Sequence, residues 1–163
     1  VAEFGVWNGN NLFNLKKILD FLKKKKKIIG YDHFKGMPTP DKKNFFKEKK
    51  KFINKIINFY KLNNIKIIDD DIMNLEKHLK SFSKLSLIYI DCDLYHTTDK
   101  ILKILTSKLS VGGLITFDEG NFGNIRGEAK ALNQFYSKNK KKYKKIFLKK
   151  FYQPDVYLQK IRQ

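Results

Sequence analysis

The sequence predicts an α/β protein built on a mostly parallel sheet with helices on both faces. Three observations carry that expectation. Apolar, strand-like runs alternate with amphipathic helical stretches from one end of the chain to the other. The run Leu87–Ile90, within "LIYIDCDLYHTT", is continuously apolar, as strands buried on both faces are. Acids stand where such runs stop, at Asp32, Asp69, Asp91 and Asp118, although the 163-residue chain carries 16 Asp and Glu against 35 Lys and Arg.

Val1–Val6 ("VAEFGV") reads as a short first strand entering a glycine-containing turn. Asn11–Lys24 comes next as a helix, with Leu12, Leu15, Ile18, Leu19 and Leu22 at helical spacing. Lys27–Asp32 is the second strand, stopped by His33–Pro40, a loop with one glycine and two prolines. A helix is expected over about Asp41–Leu62, with Phe45, Phe52, Ile56, Phe59 and Tyr60 as candidate core positions. Ile65–Asp69 is the third strand and Asn74–Phe82 a short helix. After the fourth strand, Thr97–Leu109 reads as a helix with Thr97 or Thr98 as its N-cap. Gly113–Glu119 is the fifth strand and Arg126–Lys138 the last long helix. Around Gln153-Pro154, the tail reads as two strands with a tight connection, which adds an antiparallel edge. There is no internal repeat, and one domain is expected over residues 1–163.

Composition narrows the function. Hydrophobic residues at 42% and aromatics at 14% are those of a globular protein with a sizeable core. No apolar stretch approaches the roughly 20 residues of a membrane span, and no signal peptide opens the sequence. The lone Cys92 cannot form an internal disulfide, which suits a reducing compartment and a cytoplasmic location. The chain starts without methionine and almost inside a motif, so an N-terminal portion is expected to be missing. The formal charge of +19 points toward polyanions. Only Arg126 and Arg162 are arginines, however, and lysine runs such as Lys23–Lys27 and Lys140–Lys142 read as solvated faces. Nucleic acid is therefore not the favoured partner, although the charge attracts anionic substrates at long range. A homo-oligomer is compatible with the sequence.

The first turn, "EFGVWNG", has the form E-x-G-x-x-x-G, with Glu3, Gly5 and Gly9 immediately after the first strand. Glycines allow a tight turn and close backbone approach, and the succeeding helix offers free N–H groups. The pattern is not G-x-G-x-x-G, so a dinucleotide pyrophosphate is disfavoured; the amino-acid end of a smaller cofactor suits the turn. Asp32 lies near the roughly 20-residue offset at which an acid takes ribose hydroxyls. Asp69, Asp70 and Asp71 end the third strand. Asp71 with the Ile72 N–H can meet an adenine amine and ring nitrogen, with the other two acids left as alternatives.

At this point the chain resembles the class I S-adenosylmethionine-dependent O-methyltransferases. "EFGVWNG", "GYDHFKGMP", "YIDCDLYHTT" and "GGLITFDEGNFGNIRGEAKALNQF" succeed one another in that order. The nearest likeness is to the macrocin O-methyltransferase-like group, which modifies sugar hydroxyls, and it covers essentially the whole chain. The resemblance implies a three-layer Rossmann-like sheet of order 3-2-1-4-5-7-6 with strand 7 antiparallel. It further implies S-adenosylmethionine over the first turn, a divalent cation beside it, and a carbohydrate or glycoside as substrate. Asn10 stands where the group often has glycine, His96 where it often has glutamate, and Glu119 where it often has aspartate.

The acidic cluster supports a compatible chemistry from the residues themselves. If the fourth and fifth strands are neighbours, Asp91, Asp118 and Glu119 converge at one end of the sheet and repel one another unless a cation or protons intervene. Oxygen ligands suit a hard ion, most simply Mg²⁺. Such an ion stabilises an alkoxide and fixes it about 3 Å from a methyl donor. Asp118 is the first candidate to accept the hydroxyl proton and His96 the second. Asp91 is assigned to the cofactor, to the metal and to catalysis. Asp93 reads as a helix cap or a brace of the Leu94–Tyr95 turn, and Cys92 as a small turn residue. Trp7 and Tyr95 read as packing on cofactor or substrate, or in the core. Arg126 and Glu128 read as a substrate contact or a surface pair.

Two rival readings come from other classes. "YIDCDLY" contains D-x-D, which in a nucleotide-sugar glycosyltransferase holds a metal and a diphosphate, but that reading leaves Glu3, Gly5, Gly9, Asp118 and Glu119 idle. A basic nucleic-acid-binding module on a methyltransferase fold is the other. The Asn/Asp-Pro-Pro-aromatic turn of base amino-methylation is not what "DCDLY" supplies.

Overall fold

A computed structural model of the chain describes residues 1–36, 50–121, 127–148 and 153–163. Seven strands form one sheet: β1 (Ala2–Phe4), β2 (Ile28–Asp32), β3 (Ile65–Asp69), β4 (Leu85–Ile90), β5 (Leu109–Phe117), β6 (Tyr143–Phe147) and β7 (Val156–Lys160). Their order is β3-β2-β1-β4-β5-β7-β6, as the resemblance implies. β2 pairs with β3 and β4 with β5 in parallel, whereas β7 runs antiparallel to both β5 and β6. The helices are α1 (Asn10–Phe21), α2 (Lys50–Phe59), α3 (Tyr95–Leu105) and α4 (Gly127–Asn139); Ile72–Ser81 is a 3₁₀ run where a short helix is expected. Backbone contacts divide the chain into two compact units, Val1 with Glu3–Asp71 and Ala2 with Ile72–Gln163.

In the first unit, Val6, Leu12, Ile28, Phe34, Ile53 and Ile65 form a buried cluster. β2 passes through it with Gly30 at its centre, where a Cβ would lie 2.9 Å from Val6, 3.0 Å from Ile67 and 3.1 Å from Leu12. The helical stripes read from sequence are only partly buried. Leu12 is buried on α1 and Leu19 packs against the cluster, but Ile18 and Leu22 are exposed. On α2 the inward face carries Ile53 and Ile57, one turn apart, while Phe52, Phe59 and Tyr60 are exposed. The expected core set leaned on the aromatic residues; of its described members only Ile56 is partly buried. Phe45 lies outside the described residues.

In the second unit, β4 and β5 pair from Leu85↔Leu109 to Ile90↔Phe117 across an irregularity between Leu85 and Leu87. That pairing starts β5 at Leu109, earlier than expected, and α3 correspondingly stops at Leu105. α3 also starts earlier than expected, at Tyr95. Thr97 and Thr98 are therefore inside the helix and not N-caps: the cap position is Leu94, with no side-chain cap bond. The Thr97 hydroxyl donates to the Leu94 carbonyl at 2.9 Å, and Thr98 is buried. At the other end of α3, the buried Lys160 ammonium donates to the carbonyls of Thr106 (3.1 Å) and Leu109 (2.9 Å). A cation at a helix C-terminus also meets the negative end of its dipole. No helix among the described residues is long and apolar enough to cross a membrane.

The tight fit around Gly30 gives a direct check on the first unit. Gly30→Ala is expected to lower stability by about 1–3 kcal/mol through overpacking, read as a lower urea midpoint with an unchanged slope.

Candidate active site

The turn after β1 is built from alternating left-handed residues: Gly5 and Gly9 at φ 85° and Trp7 at φ 46°. Glycine takes that conformation freely, but for Trp7 it is strained, so something must hold it. The holder is Asp32. Its Oδ2 accepts the N–H groups of Val6 and Trp7, each at 2.8 Å, and its Oδ1 accepts the N–H of Phe34 at 2.7 Å. Three of about four acceptor positions are thus filled by backbone, leaving room for one further donor. From its offset Asp32 is expected to take ribose hydroxyls; in the structure it also braces the turn.

Glu3 is buried in the middle of β1, where its Oε1 accepts from the Asn11 side chain at 3.2 Å. Gly9 precedes α1 as its cap residue. Trp7 is 44% exposed, so it is not a core residue. At the end of β3, Asp69 lies 3.8 Å from Lys50, and the Asp71 carbonyl accepts the Tyr31 hydroxyl at 2.9 Å. The Asp71 side chain is exposed and Ile72 is buried. His33 accepts the Lys35 N–H at Nδ1 over 3.1 Å, which makes it a loop brace.

The second unit carries the acidic group. Ile90 pairs with Phe117, so the next residues, Asp91 and Asp118, are brought side by side; the Asp118 N–H donates to the Ile90 carbonyl at 3.0 Å. The Tyr89 hydroxyl donates to Asp118 Oδ1 at 2.7 Å. Burial pushes the Asp118 carboxyl above its usual range; the Tyr89 hydrogen bond opposes this, and the charges of Asp93 and Asp155 reinforce it. Asp93 takes φ 57° in the loop before α3 and does not cap that helix. His96, the second base candidate, is exposed on the first turn of α3. The Tyr95 hydroxyl donates to Gln134 at 2.6 Å, and its ring lies under the Lys130 ammonium, so this residue packs on α4.

Glu119 departs from expectation. It is buried, and no three His, Cys, Asp or Glu side chains among the described residues form a group arranged to hold a metal. The expected trio of Asp91, Asp118 and Glu119 is therefore not gathered. The reason is local: β5 ends at Phe117, so Asp118 and Glu119 lie in the turn beyond it and do not share a strand tip.

The residue that sequence reasoning undervalued is Glu128. It is fully buried, at 0% exposure, in the first turn of α4. Its Oε1 accepts the Glu119 N–H at 2.9 Å and its Oε2 the Cys92 N–H across a long 3.4 Å. Burial pushes its carboxyl well above the usual range, against the Glu119 N–H; the charges of Asp91 and Asp118 push it further, against the Cys92 N–H. Glu128 is a buried bridge and not a surface residue, and Arg126 lies outside the described residues. The sequence signal was the preceding glycine. A Cβ on Gly127 would fall 2.3 Å from the Tyr95 nitrogen and 2.7 Å from the Asp93 oxygen, so α4 starts directly against that backbone.

The sheet order with its antiparallel β7, the braced glycine turn, and the acids beyond β4 and β5 define a class I S-adenosylmethionine-dependent O-methyltransferase. More narrowly, the chain belongs to the macrocin O-methyltransferase (TylF) family, whose profile matches residues 1–149. No curated protein matches it. Among solved structures it is similar to the O-methyltransferase NovP, at 20% identity and TM-score 0.80 over 99% of this chain and 72% of that one. It is similar also to the calicheamicin methyltransferase CalS11, at 17% identity and TM-score 0.79 over 98% and 71%. CalS11 is further described as a TDP-rhamnose 3'-O-methyltransferase. The S-adenosylhomocysteine-bound methyltransferase PaMTH1 of Podospora anserina matches at 16% identity and TM-score 0.67, over 99% and 71%.

Because the Glu128 carboxyl holds its proton to higher pH in the folded chain than in the unfolded one, its contribution to stability is full below the ordinary glutamate range. That contribution is lost as pH rises toward the elevated native value. Urea unfolding in metal-free buffer should therefore show stability falling with rising pH in that window, and Glu128→Gln should flatten the slope.

Proposed function

We propose that the protein transfers a methyl group from S-adenosylmethionine to a hydroxyl of a sugar or glycosylated small molecule. The observation that carries this reading is the pairing of Asp91 and Asp118 at adjacent strand tips, with one oxygen of Asp118 already fixed by Tyr89. Among the described residues, its Oδ2 has no protein donor and is available to an acceptor hydroxyl. Membership of the macrocin O-methyltransferase family supports a carbohydrate acceptor.

On the cofactor side, Glu3, Gly5, Gly9 and the backbone that Asp32 braces hold the amino-acid end and ribose, and Asp71 with Ile72 meets the adenine. S-adenosylmethionine supplies a methyl carbon made electrophilic by its positive sulfur. On the acceptor side, Asp118 takes the hydroxyl proton as the oxygen–methyl bond forms and the sulfur–methyl bond breaks. A carboxyl pushed above its usual range is better matched to that task near neutral pH than an ordinary aspartate. Asp91 orients the hydroxyl beside it.

Mg²⁺ commonly keeps several waters and needs only one or two carboxylates, so Asp91 and Asp118 would suffice to hold it. The all-oxygen donor pair, with the charges of Asp93 and Asp155 bearing on Asp118, fits a hard cation. Bound there, it would polarise the hydroxyl as a Lewis acid.

Methyl transfer to TDP-rhamnose as the probe acceptor, with S-adenosylhomocysteine affinity measured in parallel, tests the assignment. Asp118→Ala should reduce turnover by about 100-fold or more while leaving cofactor affinity within about twofold. Undiminished turnover removes Asp118 from the reaction, and binding of nucleotide sugar without S-adenosylhomocysteine points to glycosyl transfer. The cation is tested separately: treatment with EDTA should lower turnover and Mg²⁺ should restore it, whereas insensitivity to EDTA dispenses with the ion.

A further inference from the structure

Glu128 has no place in the methyl-transfer step, yet it is a fully buried carboxylate among other acids. An acid in that position is costly unless it is hydrogen-bonded, so its retention calls for a reason. Its two partners are informative. Cys92 comes immediately after Asp91, and Glu119 immediately after Asp118. One carboxylate thus accepts an N–H from the chain just beyond each candidate acid, at 3.4 Å and 2.9 Å.

The β-ladder does not extend that far. β4 ends at Ile90 and β5 at Phe117, and one backbone bond just past them runs from the Asp118 N–H to the Ile90 carbonyl. Beyond it, Glu128 replaces the ladder with a side-chain bridge. The base of that bridge is itself anchored. Gly127 lets the start of α4 lie against the Asp93–Tyr95 backbone, and the Tyr95 hydroxyl bonds to Gln134 two turns along α4. We propose that Glu128 is a positioning residue, whose carboxyl oxygens clamp the chain after β4 to the chain after β5 and so set the spacing of Asp91 and Asp118. The clamp's effect on catalysis rests on the methyl-transfer reading; the clamp itself does not.

The test compares full-length Glu128→Ala and Glu128→Gln with the unaltered chain by amide hydrogen exchange, S-adenosylhomocysteine affinity, and methyl transfer to TDP-rhamnose. Glu128→Ala removes both acceptors, while the isosteric glutamine keeps one and turns the other into a donor facing an N–H. Exchange at Cys92 and Glu119 should quicken selectively in both variants, more in the alanine. Turnover should fall by about 100-fold in the alanine variant and by about tenfold in the glutamine one, the scale expected of a displacement near 1 Å. Cofactor affinity should stay within about twofold. Unchanged exchange at those two amides in Glu128→Gln overturns the clamp even if the alanine variant does not fold. Uniformly faster exchange throughout the second unit overturns it too, since that marks a residue serving general stability alone. If the unaltered chain transfers nothing to TDP-rhamnose, the acceptor reading fails and the exchange comparison still decides the clamp.

Discussion

A carboxylate removed from water must find hydrogen bonds or give up its charge, and Glu128 meets that constraint within a few ångströms of other acids. Everything in the second unit that concerns chemistry is arranged around it. Asp91 and Asp118 are neighbours because β4 and β5 are parallel and in register to their ends. The ladder, however, fixes only the chain up to those residues. Beyond them, one side chain from α4 accepts an N–H from each segment, and α4 reaches that place because Gly127 presents no Cβ to the backbone of the β4–α3 loop. Register, glycine and buried acid are therefore one device.

Much of this was legible in the sequence because the relevant signals are local. Strand and helix alternation, the strand-end acids and the spacing of Glu3, Gly5 and Gly9 depend on periodicity and turn chemistry, which a single chain displays. The neighbouring of Asp91 and Asp118 was legible too, once the fourth and fifth strands were taken as adjacent. Glu119 was grouped with Asp118 on adjacency in sequence, whereas the strand stops at Phe117 and both residues belong to the turn that follows. Glu128 was undervalued for a different reason. A glutamate in the first turn of a helix is ordinary surface chemistry, favoured there by the helix dipole, and nothing in its type reveals burial. The helical stripes of α1 and α2 were misphased because apolar residues occupy both faces of these lysine-rich segments, so Phe52 and Phe59 competed with Ile53 and Ile57 for the inward side.

Lysine, the dominant charged residue, is used in two distinct ways. Runs such as Lys23–Lys27 are solvent-exposed, where each ammonium keeps its hydration. Lys160 is the contrary case: buried on β7, it satisfies the carbonyls left over where α3 ends. The same side chain thus serves solubility at one place and a structural cap at another, and only the depth of its position distinguishes them. A large positive total is accordingly a poor guide to the partner of this chain.

The bracing of the first turn by Asp32 reaches beyond architecture. Because folding itself aligns the amides of Val6 and Trp7 onto a carboxylate, a nucleoside bound there as proposed would meet a loop that the fold has already shaped. Little conformational entropy is then lost on association, and affinity reflects contact chemistry more than loop ordering. Rigidity in this loop is, in effect, a form of advance commitment: the chain spends folding energy once so that each catalytic cycle begins from a receptive surface.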